Sequence, residues 1–263
     1  MARFVCVLSS LFLAGILAFA QSSTQALTVA NEAMTTMTHG LPVTDATMSG
    51  SVTWIAGSDY STGTGRLEAK DMLKSRIDVT LGDIVRNEVR TSSAGIPTGA
   101  WTEASTTQTH TTTGPFAMHN CWTDAAWFFP ALSSLAQVSN AGFVFTYVGI
   151  EQHAGVNTQH IQIFQVPALA PEVSSMVERL STMDFYLDSV SLLPVALTFK
   201  VHPDDDMGSE IPAEIRFGNY QSVNGIQIPF HVQRIINGIV VLDFVVNSAA
   251  INSGLPDSDF DIQ

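Results

Sequence analysis

The sequence predicts an α+β domain, mainly antiparallel β, and three observations predict it. From residue 46 onward apolar and polar side chains alternate with period two. In residues 74–81, for example, Ile77, Val79 and Leu81 share one face and Arg76, Asp78 and Thr80 the other. The last third is punctuated by Asn224-Gly225 and Asn237-Gly238. Such pairs suit two-residue hairpin turns, whose central positions both need positive φ. Helical spacing is confined to three short stretches.

The elements follow in order. Residues 1–20 read as a cleavable signal peptide: Arg3 gives the positive start, residues 4–19 an apolar run, and Ala18-Phe19-Ala20 the small residues before the cut. The run is short for a bilayer span, which takes ~20 apolar residues, and a polar Ser/Thr/Gln stretch follows it. Cys6 lies inside the run and cannot become a lipidated terminus. The expected product is a periplasmic or secreted domain, residues 21–263, that is not an integral membrane protein after cleavage.

Cleavage removes one cation, leaving ten Lys+Arg against 24 Asp+Glu, a net charge of −14. That charge argues against nucleic acid, whose binding rests largely on phosphate neutralisation, and against charge-driven docking on an anionic membrane. Cys121 is then the only cysteine, so no intramolecular disulfide is available. With 46% hydrophobic and only 13% charged residues, the chain has either a large core or an apolar cavity.

Ser23 and Thr24 can cap a helix in which Ala26, Leu27, Ala30, Ala33, Met34 and Met37 recur at helical spacing until His39-Gly40. Residues 46–55, 64–70, 74–81 and 84–91 read as strands, the last with Arg86, Glu88 and Arg90 on one face. Residues 92–114, rich in Thr, Ser and Gly, read as a long surface loop; the Thr run is open to an alternative as an edge strand. Residues 124–138 read as the strongest helix, with Trp127, Phe128, Leu132, Leu135 and Val138 to bury and Pro130 starting or kinking it. Strands at 142–150 and 158–166, a helix at 171–181, and strands at 183–188, 194–202, 211–220, 226–236 and 239–251 complete the chain. No internal repeat or linker interrupts it.

The closing segments resemble a known family. In residues 184–199 Phe185 and Leu187 lead through Asp188 to Leu193-Pro194 and the next strand; Tyr220-x-x-Val223-Asn224-Gly225-x-x-Ile228-Pro229-Phe230 then opens a hairpin, followed by a second Asn-Gly hairpin. Together with Tyr147-x-Gly149 and His160-Ile161, this pattern is similar to the closing and middle strands of the LolA/LppX superfamily of exported bacterial proteins, which includes the outer-membrane lipoprotein carrier. The similarity covers roughly residues 140–250. It implies a strongly curved, unclosed barrel (a LolA-like half-barrel) with helices covering the concave side and lipid held between. No motif here matches the carrier's ligand-gating arginine, which sets the chain apart from lipoprotein trafficking itself.

Other chemistry has little footing. His119 and Cys121, with His110 nearby, and Glu151, His153 and His160 are too few and irregularly spaced for a zinc set, and read more simply as structural side chains. There is no Gly-x-Ser-x-Gly elbow and no phosphate loop. Asp204-Asp205-Asp206 reads as a solvated hairpin tip rather than a calcium site. No catalytic residue, metal or cofactor is expected. The remaining signal is aromatic. Trp54, Phe143, Phe145, Phe164, Phe185, Phe199, Phe217, Phe230 and Phe244 fall on predicted strands, and Trp127 and Phe128 on the predicted helix. Ordinary core packing accounts for most such residues. All except Phe164 are the candidate lining of a ligand cavity. The reading is a non-enzymatic exported protein that binds a lipid or acyl chain under a movable lid at 124–138; a protein-interaction or sensor module of the envelope, with a filled core and a protein partner, is the alternative.

Overall fold

The computed structural model describes residues 21–105, 107 and 111–262. The predicted signal peptide and His110 lie outside the described residues. Helix α1 (Thr24–Thr38) is followed by six strands: β1 (Asp45–Ala56), β2 (Asp59–Lys70), β3 (Lys74–Leu81), β4 (Ile84–Ser93), β5 (Ile96–Ser105) and β6 (Thr111–Pro115). After an irregular stretch come β7 (Phe143–His153), β8 (Val156–Gln165), helix α2 (Pro171–Ser181), β9 (Met183–Asp188), β10 (Pro194–Val201), β11 (Ile211–Val223), β12 (Ile226–Ile236) and β13 (Ile239–Ile251).

All thirteen strands form one antiparallel sheet, in the order β6-β5-β4-β3-β2-β1-β13-β12-β11-β10-β9-β8-β7. Each half is a meander, and the two are joined where β1 pairs with β13. The sheet is curved but not closed, with β6 and β7 as its edges. This topology has a direct consequence. The chain leaves the sheet at one edge and re-enters at the other, so residues 116–142 must cross from rim to rim.

Sequence chemistry explains the regular parts. Ser23 caps α1 by accepting a hydrogen bond from the Ala26 N–H, and His39, in the left-handed region, ends it by donating its N–H to Thr35 O. Ala26, Ala30 and Ala33 let the helix lie close on the sheet. Asn224-Gly225 and Asn237-Gly238 have positive φ at both positions, as their hairpins require. At Gly65 a Cβ would lie 2.9 Å from Phe244 Cε2, so only glycine lets that ring cover β2.

Two predicted elements are corrected. Within the predicted loop at 92–114 the described residues are largely strand: β4 runs to Ser93, β5 and β6 follow, and Thr111, Thr112 and Thr113 lie in the edge strand, with Thr102 and Thr113 hydroxyls 3.2 Å apart across it. The β propensity of Thr and Trp outweighed the loop-like composition. Residues 124–138 are not an α-helix. The stretch contains only 3-10 turns at Pro130–Leu132 and Ser134–Gln137, after one at Met118–Trp122. Pro130 forces Phe129 out of the helical region, to φ −130° and ψ 89°. Ser133 Oγ donates to Pro130 O (2.6 Å), and Asp124 Oδ2 accepts from the Ser134 N–H (2.7 Å). These side chains offer the backbone partners that a helix would otherwise supply.

Candidate ligand-binding concavity and its plug

Alternation along the strands sends one set of apolar side chains to the concave side, where α1 and residues 118–138 pack on them. Phe143, Phe145, Phe185, Phe199, Phe217, Phe230, Phe244, Trp127 and Phe128 are buried in a single cluster, and Trp54 packs against its edge. All ten residues predicted to line a cavity are therefore together. What they surround is filled. Trp127, Phe128, Phe129, Leu132 and Leu135 occupy the middle, with Trp127 and Phe128 edge to face at 5.4 Å. Phe164 is buried outside this cluster.

The plug (residues 118–138) is held by a residue that strand alternation did not single out. Arg90 on β4 faces the concavity and donates to four plug carbonyls: Asp124 O at 2.9 Å through Nη1, and Thr123 O (2.6 Å), Cys121 O (2.7 Å) and Asn120 O (3.4 Å) through Nη2. Burial lowers its pKa from the ordinary arginine value. In the sequence Arg90 continues the charged face of Arg86 and Glu88; only the rim-to-rim crossing places carbonyls over it. Arg86 and Glu88 share that face: Arg86 lies 2.8 Å from Glu88 and 3.4 Å from Glu103, with its guanidinium over the rings of Trp54 and Trp101.

Despite that clamp, the plug region is poorly satisfied. Among the described residues three buried side-chain atoms lack a hydrogen-bond partner: Trp122 Nε1, His202 Nε2 and Arg234 Nε. Trp122 belongs to the plug, the His202 ring meets plug His119 edge to face at 5.8 Å, and Arg234 lies over the ring of Trp127. Each such atom costs about 1–3 kcal/mol, and all three lie at the seam where the plug meets the sheet.

Asp124 adds a pH dependence. Burial pushes its carboxyl up to about 6, outweighing hydrogen bonds from Ser134 and attraction to Arg90. The folded state then keeps a proton that the unfolded chain gives up from about pH 4, so stability falls as pH rises from 4 to 6. Raising the pH from 5 to 7 is expected to weaken the plug by about 1–2 kcal/mol, and Asp124→Asn to flatten that dependence. Hydrogen exchange across residues 118–138, corrected for intrinsic rate, checks both.

The remaining predicted candidates are elsewhere. His119 and Cys121 lie in a 3-10 turn, not on a strand. His119 Nε2 is 3.0 Å from Pro203 O, and the Cys121 thiol is buried, with its pKa pushed up by that burial. Glu151, His153 and His160 do meet, on the outer face of the sheet. His160 is bracketed by Glu151 (2.5 Å) and Asp184 (2.8 Å), while His153 stacks on Tyr186 at 3.7 Å and reaches Glu214 at 3.1 Å. Burial alone would lower the His160 pKa, but the two carboxylates raise it. The bridge therefore stabilises the fold below the ordinary histidine pKa and is lost as pH rises through the raised one. Both ring nitrogens are occupied by carboxylates, and no metal-holding group of His, Cys, Asp or Glu occurs among the described residues. Asp206 of the acidic run accepts from the Gly208 N–H and the Ser209 hydroxyl at an exposed loop. No helix of the described residues is long and apolar enough to cross a membrane.

The architecture is a LolA-like open half-barrel. It aligns with a domain from Vibrio parahaemolyticus classed as an outer membrane lipoprotein-sorting protein (TM-score 0.53, 13% identity, 90% of this chain and 96% of that one). A DUF1329 family protein from Desulfovibrio piger aligns with TM-score 0.56 at 10% identity, over 92% and 98% of the two chains. A LolA superfamily protein from Nitrosomonas europaea gives 0.51 at 8% identity, over 90% and 97%. At these identities the likeness is one of fold. No family model and no curated protein matches the sequence.

Proposed function

We propose that this chain is an exported, non-enzymatic binding protein that holds a lipid or another hydrophobic ligand in the concavity of its half-barrel. The ligand takes the space that residues 118–138 fill here. In this reading residues 1–20 are removed, and residues 21–263 work as a single domain in the periplasm or outside the cell. The observation that carries it is the plug itself. A continuous aromatic concave face is covered by a segment with no α-helix, held by hydrogen bonds from Arg90 and from scattered groups such as Asn120 and Gln165, with the buried Trp122 and Arg234 donors beside it left unpaired. The resemblance of fold to a lipoprotein-sorting domain supports the same reading.

The driving force is burial. Each methylene withdrawn from water contributes ~0.8 kcal/mol, so about a dozen contribute ~10 kcal/mol, against which ordering costs and displacement of the plug are set. Native mass spectrometry and lipid extraction of the purified mature protein test it, with titration of an apolar dye. Bound lipid or saturable dye binding is expected. If neither occurs, the second reading takes over, an interaction module with a solid core. That reading has one observation of its own: edge strand β7 exposes Val148 (54%) and Ile150 (70%).

A further inference from the structure

Among the described residues two arginines take part in no ion pair, both on the concave side; Arg90 is bonded to plug carbonyls, and Arg234 is not. Arg234 on β12 stands in register between Ile215 and Leu242, both buried, so it points inward with the apolar row. Its guanidinium carbon lies 5.5 Å from the centre of the Trp127 ring. Its Nε is buried without a hydrogen-bond partner. The ion pairs of the described residues engage Arg66, Lys70, Lys74, Arg76, Arg86, Arg179 and Arg216, and none reaches Arg234. In a mature chain of net charge −14, a half-buried arginine that no carboxylate meets is unusual.

The surroundings say what it would take. Arg234, Arg90, Trp127 and Phe199 line a cleft of about 130 Å³ that also contains Glu88, whose charge Arg86 already neutralises. Arg90 is spent on plug carbonyls. Nε is one half of the guanidinium edge that pairs side-on with a carboxylate or phosphate. With the plug seated, the Trp127 face holds the guanidinium plane in place; when the plug moves, Arg90 is released from its carbonyls and stands free beside Arg234. The cleft suits a head group of a few heavy atoms, since one water occupies about 30 Å³ of liquid; it is too small for an acyl chain. The chain has its own place along Phe199 and the aromatic cluster once the plug moves.

We propose that the carried ligand is an anionic amphiphile, its carboxylate or phosphate head taken by Arg234 beside Arg90 and its chain laid along the aromatic face in place of the displaced plug. This deepens the carriage reading and rests on it. A methionine would fill the same space without the unpaired donor, so packing alone does not account for arginine here.

The test is displacement of an uncharged apolar dye from the mature protein by amphiphiles of one chain length: palmitate, hexadecyl phosphate, hexadecanol and hexadecylamine. The two anions are expected to displace dye at concentrations at least tenfold below hexadecanol, and the cation to need more than hexadecanol. Acetate and inorganic phosphate alone are expected to displace none. Arg234→Gln should erase the tenfold preference while leaving hexadecanol unchanged, and Arg234→Lys should keep part of it. Equal displacement by palmitate and hexadecanol in the wild type overturns the proposal and leaves carriage standing, as does a preference that survives in Arg234→Gln. Inorganic phosphate competing as well as hexadecyl phosphate overturns it too, by making the cleft a site for a free anion. A protein that binds neither dye nor any amphiphile counts against carriage itself. The order of the four amphiphiles on the wild type decides the matter even if the variants do not fold.

Discussion

Truncation of Phe244 to alanine is expected to lower the unfolding free energy by about 3–5 kcal/mol, and truncation of Phe128 by distinctly less. Both rings are 0% exposed and lie in the same cluster, so burial alone predicts equal losses. The difference lies in what holds them. Phe244 is on β13, paired on both sides by β1 and β12 and fitted over Gly65. Its cavity cannot be relieved without dismantling the sheet. Phe128 is on the plug, which is free to detach once its remaining contacts are worth less than the strain of staying. Detachment caps the loss at the free energy of opening. Urea melts of the two variants, read by circular dichroism, give both values. For a domain of this size 3–5 kcal/mol corresponds to a drop in melting temperature of roughly 10 °C. Equal losses for the two variants would mean that the plug is an integral part of the core.

Arg90→Leu is expected to have the second largest effect, and a local one. It leaves the carbonyls of Cys121, Thr123 and Asp124 without their donor, while removing a partly buried cation whose desolvation already costs something. The net loss is about 3 kcal/mol, confined to the plug. Amide exchange in residues 118–124 should accelerate by about two orders of magnitude, with β11 to β13 unchanged, and uptake of an apolar dye should become faster. Arg90→Lys should resemble the leucine variant more than the wild type, because an ammonium group cannot spread over several carbonyls as a guanidinium does. A loss spread evenly over the sheet would assign Arg90 to general stability rather than to the plug.

Much of the fold was legible in local chemistry. The Asn-Gly pairs and the alternation in residues 211–251 specify a meander in register, and the small residues of α1 specify a helix packed close. The misreadings have identifiable causes. Residues 124–138 contain an aromatic run that mimics an amphipathic face. Yet Trp127, Phe128 and Phe129 are consecutive and all buried, which no helix on a sheet surface permits. Pro130 and the serines at 133 and 134 were the contrary signal. In residues 96–115 a loop-like composition concealed strands that Thr and Trp form readily. The site was half legible. Strand parity put the strand aromatics on one face, where they share one buried cluster, but whether they surround ligand or protein depends on what crosses between the rims. Arg90 and Arg234 were invisible for the same reason. Each looks like one charge in an alternating strand until the crossing segment places carbonyls over one and a tryptophan over the other.

The claim that ligand replaces plug is tested most directly by hydrogen exchange of residues 21–263 with and without saturating palmitate. The account predicts that residues 118–138 lose protection on binding, while the strands beneath them, including Phe185, Phe217 and Phe244, keep or gain it. Binding with the plug fully protected, or with changes confined to the outer face around His160 and Glu214, would contradict it.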